Sequence, residues 1–201
     1  MPEEPTATTT TTLDGVLTRL VPTTEDDLDL LAGWFASPDF VTYWGGVPLS
    51  RDEVAEKYVG RRRPRVQSYL VLAEDVPVGY AQFWHADAPE DGTEGGIESG
   101  TEGGIDLVLQ PASQGRGLGP DATRALLAHV GGELGWRRVT VDPVRENVRA
   151  VRAWEKAGFR QVPSETGEPL LEFRFPEGRR HGPRTLTTTT DHGTTTADAP
   201  S

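Results

Sequence analysis

The sequence predicts a single domain of mixed α/β or α+β class, in which helices pack on a sheet. Three observations support this prediction. Segments in which apolar and polar residues alternate, as in strands, are interleaved with segments whose apolar residues recur at helical spacing. The strand predicted over residues 105–109 runs through a glycine-rich turn into a helix, and a later strand over 138–141 also precedes a helix. The 201 residues suffice for one domain to bury a core.

The first predicted elements are a strand over residues 16–21, which Pro22 closes, and a helix that begins at residues 24–27. Acidic side chains in its first turn suit the positive end of a helix dipole. The apolar residues that follow at helical spacing are expected to be its buried stripe: Leu28, Leu31, Trp34 and Phe35.

An aromatic loop over residues 40–48 should follow, because the Ser-Pro pair at 37–38 stops the helix. Ser50 and Glu53 then form a capping box, which predicts a second helix to about Tyr58. Strands are expected over 68–74 and 78–85, on either side of a hairpin turn.

Residues 86–103 form an acidic, glycine-rich insert for which no ordered element is predicted. Its sequence is partly duplicated, since GTEGGIE at 92–98 recurs as GTEGGID at 100–106. We prefer the later copy as the start of the central strand because Leu-Val-Leu follows it. The insert either lines a cleft or is a solvated loop. Its acidic residues are Asp87, Glu90, Asp91, Glu94, Glu98 and Glu102.

The central strand should place Asp106 and Val108 on the face opposite its leucines and isoleucine, because strand side chains alternate. The segment over 114–119, QGRGLG, then leads into a helix over 121–130. Glycines allow backbone N–H groups to approach a ligand closely, and the start of a helix adds partial positive charge. The segment is therefore predicted to bind an anion.

Three sequence patterns compete for this turn. A kinase-type phosphate loop requires Gly-Lys-Ser/Thr at its end, and a dinucleotide-binding fingerprint requires G-x-G-x-x-G; neither is present. The pattern Q/R-x-x-G-x-G/A matches Gln114, Gly117 and Gly119. A glycine-rich turn without a ligand remains the alternative for this segment taken alone.

Beyond this helix, a short buried strand over 138–141 should end at Asp142 and Pro143. Asn147 is expected to cap a helix that runs through residue 157, and Gly158 fits its C-terminus. A last strand is predicted over 170–175. Residues 1–12 and 179–201 are rich in threonine and are expected to be disordered tails, which leaves the domain at 13–178.

The composition excludes several kinds of chemistry. With no cysteine, the chain offers no disulfide, thiolate nucleophile or Cys-type zinc site, so any thiol must come from a cofactor. The four histidines form no ligand-spaced pair, and no metal site is expected.

The net charge of −11, from 20 basic and 31 acidic side chains, favours cationic partners over nucleic acid, although solubility alone also explains it. No apolar run approaches the ~20 residues of a membrane span. The N-terminal residues also lack an export signal, so we expect a cytoplasmic protein without a membrane partner.

The pattern over 114–119 resembles the acetyl-CoA pyrophosphate loop of the GNAT acyltransferase superfamily. Four further segments, YWGG at 43–46, GYAQ at 79–82, GID at 104–106 and the stretch 142–159, resemble the aminoglycoside 6'-N-acetyltransferases of that superfamily. The likeness spans about residues 34–159. It implies a central, mostly antiparallel twisted sheet with helices on both faces, acetyl-CoA as the cofactor and an aminoglycoside as the cationic substrate.

The resemblance also implies roles for individual residues. Asp106 matches the carboxylate that accepts a proton from the 6'-amine; the alternative is a carboxylate that only binds the cation. Trp154 stands where these enzymes have a tyrosine thought to protonate the departing CoA sulfur. An indole N–H donates a hydrogen bond but does not readily give up a proton. Either the thiolate leaves with help only from hydrogen bonding or water, or turnover is slow.

The residues expected to bind the cofactor are Leu107, Val108, Leu109, Gln114, Gly115, Arg116, Gly117, Leu118, Gly119 and Asn147. Those expected to bind the substrate are Trp44, Tyr58, Gln82, Trp84, Asp91, Asp106 and Asp142. For the three aromatic residues, packing in the core is the ordinary explanation.

Two other functions fit the sequence. One is acylation of a different amine, such as a lysine-derived siderophore precursor or another polyamine, for which His85 is a candidate site residue. The other is a binding protein that captures acetyl-CoA or an aminoglycoside without useful turnover, a reading suggested by Trp154. Either a monomer or a homodimer is expected.

Overall fold

The computed structural model describes residues 11–86 and 101–176. Within these two ranges, eight strands, numbered in chain order, form one sheet in the order β1-β2-β3-β4-β5-β6-β8-β7. Strands β5 and β6 pair in parallel, and the other neighbours pair antiparallel. The strands are β1 Leu13–Asp14, β2 Arg19–Pro22, β3 Val66–Ala73, β4 Val76–His85, β5 Glu102–Leu109, β6 Arg138–Val141, β7 Arg160–Val162 and β8 Leu170–Arg174.

In the described part of the chain, five α-helices cover both faces of this sheet, which confirms the predicted fold class. Helices α1 to α3 pack on one face in a cluster that includes Leu70 and Tyr80. Helices α4 and α5 pack on the other face with Tyr69, Phe83 and Ile105. The helices are α1 Leu28–Phe35, α2 Pro38–Val41, α3 Arg51–Tyr58, α4 Leu118–Gly132 and α5 Val148–Lys156.

The helix ends follow from local sequence. The Ser50 side chain accepts the N–H of Glu53, and the Glu53 carboxylate accepts the N–H of Ser50, so α3 begins with the predicted capping box. The side chain of Asn147 caps α5 by accepting the N–H of Ala150 at 3.1 Å. After α5, Gly158 has a φ of 102°, the left-handed conformation that favours glycine at this position.

Strands β5 and β6 diverge along their length. Their registered pairs are Glu102 with Arg138, Gly103 with Val139, and Gly104 with Thr140. Past Gly104, β5 continues to Leu109, paired with β4 on its other side. Within residues 11–86 and 101–176, no strand pairs with the β6-facing edge of residues 105–109. This edge therefore leaves backbone groups open to a ligand.

Several predicted boundaries are wrong. The strand expected over 16–21 is two short strands, β1 and β2, because residues 15–18 form a turn. The aromatic loop expected from residue 40 begins later, since α2 contains Phe40 and Val41. Strand β7 was not predicted, because two of its three residues are exposed and carry no apolar alternation. Most of the two tails and of the insert, residues 1–10, 87–100 and 177–201, lies outside the described residues. The predicted end of the insert at residue 103 is also wrong, because Glu102 and Gly103 already belong to β5.

Candidate active site

Asp106 lies opposite Gln82, its registered partner on β4. The side-chain amide of Gln82 donates a hydrogen bond to the Asp106 carboxylate at 2.8 Å. The hydroxyl of Tyr80 donates to Oε1 of the same amide at 2.9 Å, so the NH₂ group of Gln82 must face Asp106. This row of three side chains fixes the position of a half-buried carboxylate.

The surroundings of Asp106 favour a carboxyl group that can take up a proton. Burial raises its pKa, and the nearby charge of Asp142 adds to the rise. The hydrogen bond from Gln82 opposes this shift, as do the indole of Trp84 and the charge of Arg62. The net effect is a pKa above the ordinary value for aspartate, the direction that suits a general base.

The indole of Trp84 lies flat against Gly104, its registered partner on β5. A Cβ at Gly104 would overlap the Cε2 and Cζ2 atoms of that ring. Because the ring also influences Asp106, Trp84 forms a wall beside the carboxylate. The GID segment noted in the sequence therefore supplies both the carboxylate and the space for this wall.

An aromatic cluster covers the other side of Gln82. The Trp44 indole N–H donates to the Tyr58 hydroxyl at 2.8 Å. Tyr58 stacks on Phe35, with ring centroids 4.2 Å apart, and meets Tyr80 edge-on at 5.1 Å. Tyr58 is buried, whereas Trp44 is half-exposed at the surface of the cluster. Both residues thus belong to the core packing, and Trp44 also presents a ring face outward.

The segment over 114–119, the donor loop from here on, joins β5 to α4. Gly115 and Gly117 adopt φ values of 78° and 81°, which favour glycine. The side chain of Gln114 donates to the backbone carbonyl of Leu109 at 3.0 Å and so fastens the loop to the end of β5. Gly119 lies over the side chains of Leu107 and Leu109, where a Cβ would be only 3.6 Å from Leu107.

The backbone N–H groups of Gly115, Gly117 and Gly119 donate to no acceptor in the described ranges 11–86 and 101–176. Pro120, in the first turn of α4, needs no N–H partner there. Free amides at the start of a 15-residue helix are a suitable cradle for phosphate oxygens. Arg116 is exposed beside them, and Leu118 contributes its side chain to the core.

Other predicted site residues occupy different places. Asp142 is exposed at the end of β6, close enough to Asp106 to affect its charge. Trp154 is buried and meets Phe159 edge-on, with 5.2 Å between ring centroids. Asp91 lies outside the described residues.

His85 lies on the face of the sheet opposite Gln82 and Asp106. Its ring packs 5.0 Å from that of Trp136, under α4. Burial lowers the pKa of the His85 imidazole. The geometry therefore gives no support to His85 as a site residue beside Asp106.

Sequence reasoning assigned no role to two residues that matter to this site. Tyr80 orients Gln82, and its signal was present in the GYAQ segment. Asp121 was treated only as part of a helix start, yet its carboxylate is fully buried in contact with the turn over 15–18. No local pattern distinguishes it from an ordinary acid in a first helical turn.

Among residues 11–86 and 101–176, the structure has no cluster of three or more His, Cys, Asp or Glu side chains arranged to hold a metal ion. No helix in these same ranges is both long and apolar enough to span a bilayer.

A carboxylate on a strand with an open edge, followed by a glycine-rich loop at a helix start, is the arrangement that the sequence resemblance implies for an acetyltransferase of the GNAT superfamily. Residues 18–160 match the family model described as acetyltransferase (GNAT) domain. The chain belongs to the GNAT acetyltransferase family, as the sequence resemblance predicted.

The chain is 34% identical over 156 residues to the aminoglycoside N(6')-acetyltransferase type 1 of Klebsiella pneumoniae, covering 73% of this chain and 74% of that one. A crystal structure of aminoglycoside acetyltransferase AAC(6')-Ib in complex with coenzyme A and kanamycin superposes with a TM-score of 0.64 at 28% identity, covering 78% of this chain and 94% of the other. Spermidine N-acetyltransferase from Vibrio cholerae, at 16% identity and a TM-score of 0.63 over 78% of this chain and 93% of its own, shows the shared fold.

Proposed function

We propose that the protein transfers the acetyl group of acetyl-CoA to the 6'-amine of an aminoglycoside. The observation that carries the proposal is the placement of Asp106, held by Gln82 next to the unpaired edge of β5. The Klebsiella relative and the solved complex with coenzyme A and kanamycin support both the donor and the class of acceptor.

The acceptor side of the cleft suits a polycation. Asp106 and Asp142 carry negative charge there, and the half-exposed ring of Trp44 offers a face on which a sugar can stack. The ammonium form of the 6'-amine has no lone pair, so it must lose a proton before it attacks a thioester. In this proposal Asp106 accepts that proton, because it is the carboxylate whose pKa burial has raised.

The donor side consists of the open edge of β5 and the donor loop. The free amides of Gly115, Gly117 and Gly119 hold the diphosphate. The side-chain oxygen of Asn147 caps α5, so its NH₂ group is the part that can donate to the cofactor. The pantetheine arm lies along residues 105–109, where backbone N–H groups stabilise the developing oxyanion. The amine nitrogen forms a bond to the carbonyl carbon, and the carbon–sulfur bond then breaks. The nitrogen loses its second proton in this step, and that proton passes through water to the departing thiolate.

The leaving thiolate receives little help from the protein. Trp154 can donate only a hydrogen bond, so water supplies the proton. A thiol has a pKa near ~8.5, which makes departure as a thiolate tolerable. We place the reaction in the cytoplasm, where a CoA thioester is available.

The test is release of CoA thiol from acetyl-CoA in the presence of kanamycin or tobramycin, with mass spectrometry of the product. The matched control is a kanamycin analogue whose 6'-amine is replaced by a hydroxyl. We expect thiol release and gain of one acetyl group with the amine and neither with the analogue. Binding of acetyl-CoA without thiol release would instead indicate a binding protein.

A further inference from the structure

Asp121, in the first turn of α4, is a buried carboxylate with only 1% of its surface exposed. It accepts hydrogen bonds from the backbone N–H groups of Val16, Leu17 and Thr18 at 3.2, 2.8 and 2.9 Å. The Thr18 hydroxyl donates a fourth at 2.9 Å, and Arg124 a fifth at 3.3 Å. A buried carboxylate needs such partners, and here most of them belong to a single turn.

That turn, residues 15–18, joins β1 to β2 and is closed by a hydrogen bond from the Gly15 N–H to the Thr18 carbonyl at 2.7 Å. Gly15 packs so closely on Asp121 that a Cβ there would overlap the carboxylate. Val16 is 91% exposed and Leu17 is 51% exposed, so apolar burial is not what holds the turn in place. The Asp121 carboxylate instead binds the turn through the backbone N–H groups of three of its four residues.

The turn over residues 15–18 also lies next to the donor loop. Leu17 lies beside Gly117, where an added Cβ would be 3.7 Å from Leu17 Cδ1. Gly117 is the N-cap of α4, and its left-handed φ of 81° sets the direction of the amides that follow it. Leu17 therefore neighbours this part of the loop at ordinary van der Waals spacing.

We propose that Asp121 is a positioning residue for the donor: it fixes the turn over 15–18, and Leu17 on that turn holds Gly117 so that the loop amides point at the diphosphate. The inference rests on the proposed role of the donor loop in binding acetyl-CoA. No part of it depends on the identity of the acceptor.

Leu17→Ala tests the contact without opening the core, because the side chain is half-exposed. Calorimetry would measure the Kd of coenzyme A and of pantetheine, which has the same thiol arm without the diphosphate. We expect the Kd of coenzyme A to rise about tenfold, the equivalent of one lost amide–phosphate hydrogen bond. The Kd of pantetheine and the Tm should stay near the wild-type values.

Asp121→Asn should show the same selective loss for coenzyme A, together with a lower Tm. The matched control for Leu17→Ala is Val76→Ala. Val76 is another aliphatic residue at a hairpin, with 59% of its surface exposed, and its replacement should change neither Kd. If Leu17→Ala binds coenzyme A like the wild type, the positioning role is wrong. If the wild type binds coenzyme A no more tightly than pantetheine, the donor loop itself has been misassigned.

Discussion

Replacing Asp106 by asparagine tests the central step of the proposed reaction. Asparagine keeps the shape of the side chain and an oxygen that can accept the Gln82 hydrogen bond, now 2.8 Å long. What it removes is the proton acceptor. A positioned general base contributes roughly 100- to 10,000-fold, or about 3 to 5.5 kcal/mol of transition-state free energy, and we expect a loss of that size in kcat/KM for kanamycin.

The assay pairs steady-state thiol release with calorimetric binding of acetyl-CoA. Binding should be preserved, because Asp106 lies on the acceptor side of the proposed cleft. Asp142→Asn makes the same change of charge at an exposed position and is the matched control. It should raise the KM for kanamycin and leave kcat nearly unchanged, since its carboxylate would only attract the cation. Near-normal kcat in Asp106→Asn would refute the assignment of the base.

The same substitution has a consequence for stability. The pKa of the Asp106 carboxyl group is raised in the folded protein. Its stabilising contribution to the free energy of unfolding is therefore fully present below the pKa of the unfolded chain, and it is lost as the pH rises through the pKa of the folded protein. Asparagine is neutral throughout. The Tm of Asp106→Asn at pH 7 should therefore equal or exceed that of the wild type, and the difference should vanish below the ordinary aspartate pKa. A lower Tm at pH 7 would mean that the carboxylate stabilises the fold.

Three further substitutions probe the neighbouring parts of the site. Gly104→Ala should displace the Trp84 ring, cost about 1–3 kcal/mol of stability and raise the KM for kanamycin, and an unchanged KM would argue against Trp84 as a wall of the cleft. Gln82→Glu places a second carboxylate beside Asp106, so the acid limb of the pH profile of kcat/KM should move to higher pH. A loss of activity that alkaline pH does not restore would point to misfolding instead. Trp154→Tyr supplies a phenolic proton at the position where the aminoglycoside 6'-N-acetyltransferases have one, and kcat should rise. An equal or lower kcat in stopped-flow measurements of thiol release would exclude thiol departure as the limiting step.

The parts of the site that could be predicted are those set by local chemistry. A turn between β5 and α4 was predicted from its glycine spacing, and the structure gives two of those glycines positive φ values, a conformation that favours glycine. Asp106 was predicted on the outward face from strand alternation alone, and the burial of Ile105 in the α4 core confirms that alternation. The capping residues Ser50 and Asn147 likewise act within a few positions of themselves.

The parts that could not be predicted depend on distant contacts. Val16 and Leu17 fit a strand pattern, but the carboxylate that bends the chain there lies 104 positions from Leu17. The partnership of Gln82 with Asp106 requires the register of β4 on β5, and no turn pattern between the two strands in sequence fixes that register. The core position of His85 likewise depends on which face of β4 lies under α4.

The divergence of β5 and β6 has a mechanical consequence. The sheet consists of a five-stranded portion and a three-stranded portion that share three registered residue pairs. A pantetheine arm lying in the gap would hydrogen-bond to the free edge much as another strand does, and would tie the two portions together. Occupancy by the donor would then stiffen the cleft before the sugar arrives, which favours an ordered sequence in which the thioester binds first.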